Sequence, residues 1–171
     1  MSSFQIRPAT LRDANAIAQI HAGFDQPAAA DRSTADPANV TSRDKRQSLW
    51  RDAIEYGEPQ VHVACQADEV VGFVGFDRCR DKGTPPTMGE IWAIYVARPY
   101  WDQGAGLALW DAAREGLLEE GCANVSVWIA LGNDRALRFH ELAGFKREMS
   151  TARTVASAKV RIEEIRLKRK L

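Results

Sequence analysis

Two glycines one residue apart, Gly104 and Gly106, stand immediately ahead of a helical run, "LALWDAAREGLLEEG". The N-terminus of a helix leaves backbone N–H groups unpaired and carries about half a positive charge. Glycine lets an anion come close to those groups, and phosphate is the usual guest. The residues that follow narrow the chemistry. A phosphate-binding P-loop needs Lys and then Ser or Thr after its last glycine, whereas Leu107-Ala108 stand here. A dinucleotide fold asks for three glycines and a later acid, and only two glycines are present. The spacing alone leaves a phosphate cradle and a mere tight turn both open.

A second chemical candidate precedes the glycines. Glu90 begins the run "EIWAIYVARP". A carboxylate at the rim of an apolar strand is either a solvated strand end or a general base beside a cleft. Asp77 and Glu69 fall at strand edges and read as solvated. Of the three histidines, His21 lies on the apolar face of the first helix as a partly buried residue. His62 alternates with Val61 and Val63 and reads as strand surface. His140 shares a helix face with Ala136 and Ala143, next to Phe139. Cys65, Cys79 and Cys122 are odd in number, with no CxxC pair, and read as reduced thiols of a cytoplasmic protein without a metal site.

Positioning these residues takes a mixed set of elements. "FQIR" reads as a short strand, and Thr10 caps a helix reaching Phe24 with Leu11, Ala14, Ile17, Ala18 and His21 on one face. "DQPAAADRSTADPANV" has no period and reads as a flexible loop. Ser42 to Tyr56 forms a second helix carrying Leu49, Trp50 and Ile54, stopped by Gly57 and Pro59. "VHVAC" and "EVVGFVGFDRC" flank a hairpin turn at "QAD". "GEIWAIYVARP" is apolar on both faces, as a central strand would be. Its Trp92 and Tyr95 face opposite ways, one into the core and the other toward an acceptor pocket; Trp50 reads as core. The helix after the glycines puts Leu107, Trp110, Ala113 and Leu117 on one face. "NVSVWIAL", a helix capped at Asn133 or Asp134 and running to Ala143, and strands at "FKREM" and "KVRIEEIRL" complete the chain. The result is an α/β fold of the α+β type: a mixed, mostly antiparallel sheet of six to seven strands with about four helices, in one domain spanning 1–171.

Composition removes other classes. Lys and Arg number 23 against 23 Asp and Glu, which is no footprint for a nucleic-acid binder. Lys168-Arg169-Lys170 reads as a solvated tail. No apolar run is long enough for a membrane span, and "MSSFQIRPAT" lacks the apolar core of a signal peptide.

"EIWAIYVARPYWDQGAGLAL" resembles the central motif of the GNAT N-acetyltransferases: a strand ending in Val and Pro, then Arg/Gln-x-x-Gly-x-Gly/Ala opening a helix. "NDRALRFHELAGF" is similar to that family's Asn-x-x-Ala-x-x-Phe-Tyr-x-x-x-Gly-Phe. Two positions depart from the pattern: Trp101 stands at the Arg/Gln, and His140 at the Tyr.

The resemblance implies an acetyl-CoA-dependent N-acetyltransferase that acts by direct transfer, without a metal. It implies that pantetheine lies along the third apolar strand at Ile94, Tyr95 and Val96, pairing with backbone groups as an added strand. The Ile94 N–H would then meet the oxyanion. Pyrophosphate would rest on Gln103, Gly104, Ala105, Gly106 and Leu107. Asn133, otherwise simply an N-cap, and Ala136 would border the pantetheine arm. Glu90 would act as general base through water on an amine whose pKa is about 10. His140 would serve as acid to the departing thiolate, in place of the Tyr, unless it is a packing residue held by one backbone bond. The acceptor, a small primary amine, would be met by the first two helices, the Gln26–Val40 loop and the last strands. A protein N-terminus or Lys as acceptor, and a non-catalytic CoA-binding module, are the alternatives. A homodimer is also expected as a possibility of the family.

Overall fold

The computed structural model describes residues 4–23, 37–157 and 160–171. In chain order these form β1 (Gln5–Pro8), α1 (Ala14–Ala22), α2 (Pro37–Tyr56), β2 (Gln60–Gln66), β3 (Glu69–Arg78) and β4 (Met88–Val96). There follow α3 (Ala105–Glu119), β5 (Asn124–Ala130), α4 (Asp134–Leu142), β6 (Lys146–Ser157) and β7 (Val160–Lys170). One seven-stranded sheet runs in the order β1-β2-β3-β4-β5-β7-β6. The β1–β2, β2–β3, β5–β7 and β6–β7 pairs are antiparallel. β4 and β5 are parallel, which requires a crossover, and α3 supplies it. β4 stands fourth of seven, as its two apolar faces predict.

The chain divides into two compact units that interleave in sequence: Met1–Phe76 with Ala93–Ala113, and Asp77–Trp92 with Arg114–Leu171. The first unit has its core between α1, α2 and the sheet, where Ile17, Ala18, Trp50, Ala53, Val61, Val63, Cys65 and Phe73 are buried. Ala93 and Tyr95 pack against that cluster. The second unit buries Ile91, Leu117, Val125, Val127, Ile129, Leu137, Phe145, Ile165 and Leu167.

Several boundaries differ from expectation, each for a local reason. Thr10 is an N-cap as expected, but of a 3-10 turn, and α1 itself begins at Ala14. Leu11–Asp13 make one 3-10 turn, in which the Thr10 N–H and Arg7 both donate to Asp13, and Leu11 faces outward. The expected end at Phe24 lies outside the described residues, and so does the loop reading for 25–36. Pro37–Val40 belong to α2 rather than to a loop; proline suits the first turn of a helix, whose N–H would be unpaired anyway. Leu49 is exposed while Trp50 is buried. In α3 the buried stripe is Ala105, Leu109, Trp110, Ala113 and Leu117, and Leu107, two residues round from Ala105, lies on the opposite face and is exposed. β6 and β7 extend well beyond "FKREM" and "KVRIEEIRL", with a register shift between Glu148 and Arg153. β6 ends the sheet order, so its polar residues need no apolar partner. Lys168-Arg169-Lys170 are not a tail but β7 residues, in register with Ser126, Val125 and Asn124. His62 is half-buried rather than surface, with its ring 5.4 Å from that of Phe76, and burial lowers its pKa.

Candidate active site

In the first unit, the end of β4 leads through a short turn into α3. Gly72 on β3 allows a close approach there: a Cβ at that position would stand 2.9 Å from the Tyr95 carbonyl oxygen. Ile94, Tyr95 and Val96 are all half-buried. Tyr95 stacks on His21 at 5.2 Å, so of the two strand aromatics it is the one turned to this core. Trp50 donates its indole N–H to His21 Nδ1 at 3.2 Å. Burial, and then the Arg46 cation, push the His21 pKa down to about 4; the imidazole is neutral and satisfied, as expected of a partly buried histidine.

Trp101 does not stand open beside the helix. Its indole N–H donates to the Val96 carbonyl at 2.7 Å, and Gln103 donates to the Pro99 carbonyl at 3.2 Å. Together these ties fix the turn from both sides. Asp102 and Gly104 take positive φ, +61° and +92°. A Cβ at Gly104 would meet nothing within 4 Å, so that glycine is required by its backbone angle, while the space around it is open. The Ala108 N–H is bonded to the Gly104 carbonyl at 3.1 Å. By helix geometry the N–H groups of Gly104, Ala105, Gly106 and Leu107 then have no intrahelical acceptor. Gly104 and Leu107 are exposed, Gly106 is half-buried and Ala105 is buried. This is a fifteen-residue helix with an open, electropositive mouth.

In the second unit, Glu90 is no solvated strand end. It is the third residue of β4 and only 2% exposed. Arg80 holds both of its carboxylate oxygens: Nε donates to Oε1 at 3.2 Å, Nη2 to Oε2 at 2.7 Å, and the Arg80 backbone N–H to Oε1 at 3.0 Å. The guanidinium also lies 3.9 Å over the centre of the Trp92 ring. The parallel register of β4 with β5 runs from Met88↔Asn124 to Ile91↔Val127. Beside it, Asp81 accepts from the Trp128 indole at 3.1 Å and from Arg166 at 3.0 Å. Burial raises the Asp81 carboxyl, but Arg166, Trp128 and Cys79 outweigh it and hold its pKa below the usual range.

Asn133 caps α4, its side chain accepting from the Ala136 N–H at 3.1 Å. His140 is 3% exposed. Its Nδ1 lies 2.8 Å from the Ala136 carbonyl oxygen, and the Phe139 and Phe145 rings stand edge-on at 5.1 Å. A carbonyl only accepts, so Nδ1 carries the proton, and in the neutral ring Nε2 has none to give. Burial lowers the pKa of His140, with the backbone bond opposing. Acid catalysis from Nε2 would need the imidazolium form that burial disfavours. The ring's contacts match the packing alternative. The Ala136 N–H and carbonyl are both occupied within α4, so any contact from Ala136 to a ligand is through its side chain.

Glu69 accepts from the Tyr100 hydroxyl at 3.0 Å in an exposed setting. The three cysteines are free thiols, and no group of His, Cys, Asp and Glu among the described residues could hold a metal ion. An open cavity of 1240 Å³ in the first unit, lined by Arg7, Asp13, Ile20, Glu69, Val70 and Arg98 among others, includes none of the expected site residues. Sequence reasoning missed Arg80, the Trp101 bond and the Asp81–Trp128–Arg166 cluster. For Arg80 a signal existed: an acid inside an apolar run must be paired if it is buried, and "DRCRDK" offers cations just upstream.

A family model described as "Acetyltransferase (GNAT) family" matches residues 28–145. Mycothiol acetyltransferase of Kocuria rhizophila is 31% identical over 80 residues, which is 47% of this chain but only 26% of that protein. The uncharacterized N-acetyltransferase YuaI of Bacillus subtilis is 26% identical over 95% of this chain and 90% of its own length. Among solved structures, yncA of Salmonella typhimurium, described as a putative acetyltransferase with its cofactor acetyl-CoA, superposes with a TM-score of 0.74 at 20% identity, covering 98% of this chain and 93% of its own.

Proposed function

Because the chain belongs to the GNAT acetyltransferase family, and is thus an acyltransferase, we propose that it moves the acetyl group of acetyl-CoA directly to a primary amine of a small molecule. The observation that carries this reading is the open mouth of α3, behind a glycine at φ +92°. The free N–H groups of Gly104 to Leu107 suit the pyrophosphate of CoA, with Gln103 beside them. The pantetheine amides pair with the backbone of Ile94 to Val96, and the Ile94 N–H faces the developing oxyanion. Glu90, buried near the start of β4, takes the amine proton through water. Asn133 borders the pantetheine arm while capping α4.

The family match runs through residues of both units, which supports one domain over 1–171. Three free thiols are what a reducing compartment maintains, and this favours the cytoplasm. No described helix is long and apolar enough to cross a membrane. A homodimer through the last strands is supported by β6 standing at the end of the sheet order, and sedimentation tests it.

The test of function is thiol release from acetyl-CoA over a panel of small amines and of peptides with free N-termini or lysines, with product masses. Acetylated small amines are expected. Acetylated peptides alone would move the acceptor to proteins, and no thiol release with any amine would remove the transferase reading.

A further inference from the structure

On the reading of Glu90 as base, its surroundings pose a problem of access. A base must be reached by the amine or by a water that serves it. Yet Glu90 is 2% exposed, and Arg80 occupies both carboxylate oxygens. Arg80 itself is not buried: its side chain is 53% exposed and springs from the loop between β3 and β4. Its guanidinium is held by two things, a buried carboxylate and the face of Trp92. An anion and an indole face are also the two elements that hold an alkylammonium group.

We propose that Glu90 and Trp92 form the ammonium subsite of the acceptor, and that Arg80 is a built-in cation that occupies this subsite until a protonated primary amine displaces it. The acceptor class that follows is a primary alkylammonium, not an aromatic or neutral amine. The Arg80 backbone N–H remains on Oε1 after the side chain leaves, so the carboxylate keeps one fixed donor and stays aimed. The displaced guanidinium moves into solvent, where about half of the Arg80 side chain already lies.

The transfer then balances. As the amine leaves the subsite for the thioester, one of its protons passes to Glu90 through water. The amine nitrogen attacks the thioester carbonyl carbon, the N–C bond forms, the C–S bond breaks, and the thiolate takes the second nitrogen proton. Glu90 returns its proton to solvent, leaving amide, free thiol and one released proton. Because an occupied subsite lowers apparent affinity by the fraction that is vacant, Arg80 sets a threshold on amine concentration.

The test is calorimetric titration of the whole protein with n-butylammonium chloride at pH 8, for the parent, Arg80→Ala, Arg80→Lys and Arg80→Ala/Glu90→Gln, alongside acetyl-CoA titrations. Removing the competing cation should tighten n-butylammonium binding at least tenfold, about 1.4 kcal/mol, with acetyl-CoA affinity unchanged and the gain lost in the double variant. Arg80→Lys keeps the charge but loses the two-point fork, so it should show part of the gain; it decides the matter if Arg80→Ala does not fold. Equal or weaker n-butylammonium binding in the folded Arg80 variants, or a gain that survives Glu90→Gln, overturns the proposal. Failure of the base reading looks different: Arg80→Ala binds more tightly, while Glu90→Gln alone turns over like the parent.

Discussion

The mouth of α3 and the carboxylate of Glu90 are two polar sites built on opposite principles. The first is made of backbone. Its donors are left over by helix geometry, nothing crowds Gly104, and the side chains nearby, Trp101 and Gln103, serve to tie the turn rather than to meet a ligand. The second is made of side chains. It is buried, saturated by Arg80, and covered by an indole–guanidinium stack. The difference teaches where a binding site tolerates substitution. If the mouth holds pyrophosphate as proposed, a backbone site tolerates Trp101 in place of an Arg or Gln, because its donors do not depend on residue type. A side-chain site depends on each partner.

The sharpest way to break this comparison is at Glu90. Glu90→Gln keeps the shape and removes the proton acceptor, and turnover should fall about a hundredfold or more while acetyl-CoA affinity barely moves. Equal turnover in variant and parent over pH 6–9 would leave Glu90 a purely structural partner of Arg80.

The next effect concerns stability in the first unit. His21 has a folded pKa near 4 against about 6.5 for the free side chain. A depressed histidine pKa favours the folded state where the ring is neutral. Its contribution is therefore complete above pH 6.5 and is lost as pH falls toward 4, on the order of 2–3 kcal/mol. Thermal melts across that window should show the decline, and His21→Gln should make it smaller, the buried His62 and His140 supplying the rest.

Gly106→Val tests the backbone site. A β-branched side chain where phosphate rests should weaken acetyl-CoA at least tenfold, about 1.4 kcal/mol, measured by calorimetry on a folded variant. Unchanged affinity would dissolve the contrast, since the helix mouth would then hold nothing.

The smallest effect is assigned to His140→Phe. With Nδ1 committed to Ala136, loss of the ring nitrogen should cost about 1 kcal/mol of stability and leave turnover within roughly threefold. A tenfold fall in turnover at constant acetyl-CoA affinity would restore the acid role that the family pattern implies.

The contrast also explains what was legible beforehand. Among the described residues each strand and helix is marked in sequence by apolar period and by Gly or Pro stops, which are local, while the start of α2 and the extents of β6 and β7 are not. The glycine mouth is equally local, three residues and a helix. From sequence Glu90 reads equally as a solvated strand end or a base at a cleft rim, because its burial depends on where the β3–β4 loop returns, ten residues away in sequence. Trp101 departs from the family pattern by residue type alone; that its N–H turns back to Val96 depends on the turn's own angles, including Asp102 at +61°, which a type-by-type reading misses. His140 was placed on the correct helix face, but its tautomer follows from a single carbonyl one turn earlier.

The interleaving of the two units has a consequence for anyone who recombines such genes. Residues 77–92 of one unit interrupt the other, which resumes at Ala93 and ends at Ala113. A single crossover can therefore never exchange one unit whole: a junction after Phe76 strips the first of its strand end and helix, and one after Ala113 carries a piece of the second along. Chimeras between relatives need two junctions, near residues 76 and 92, plus a third near 113. The same order governs synthesis, since the N-terminal unit cannot close on the ribosome until Ala113 has left the exit tunnel.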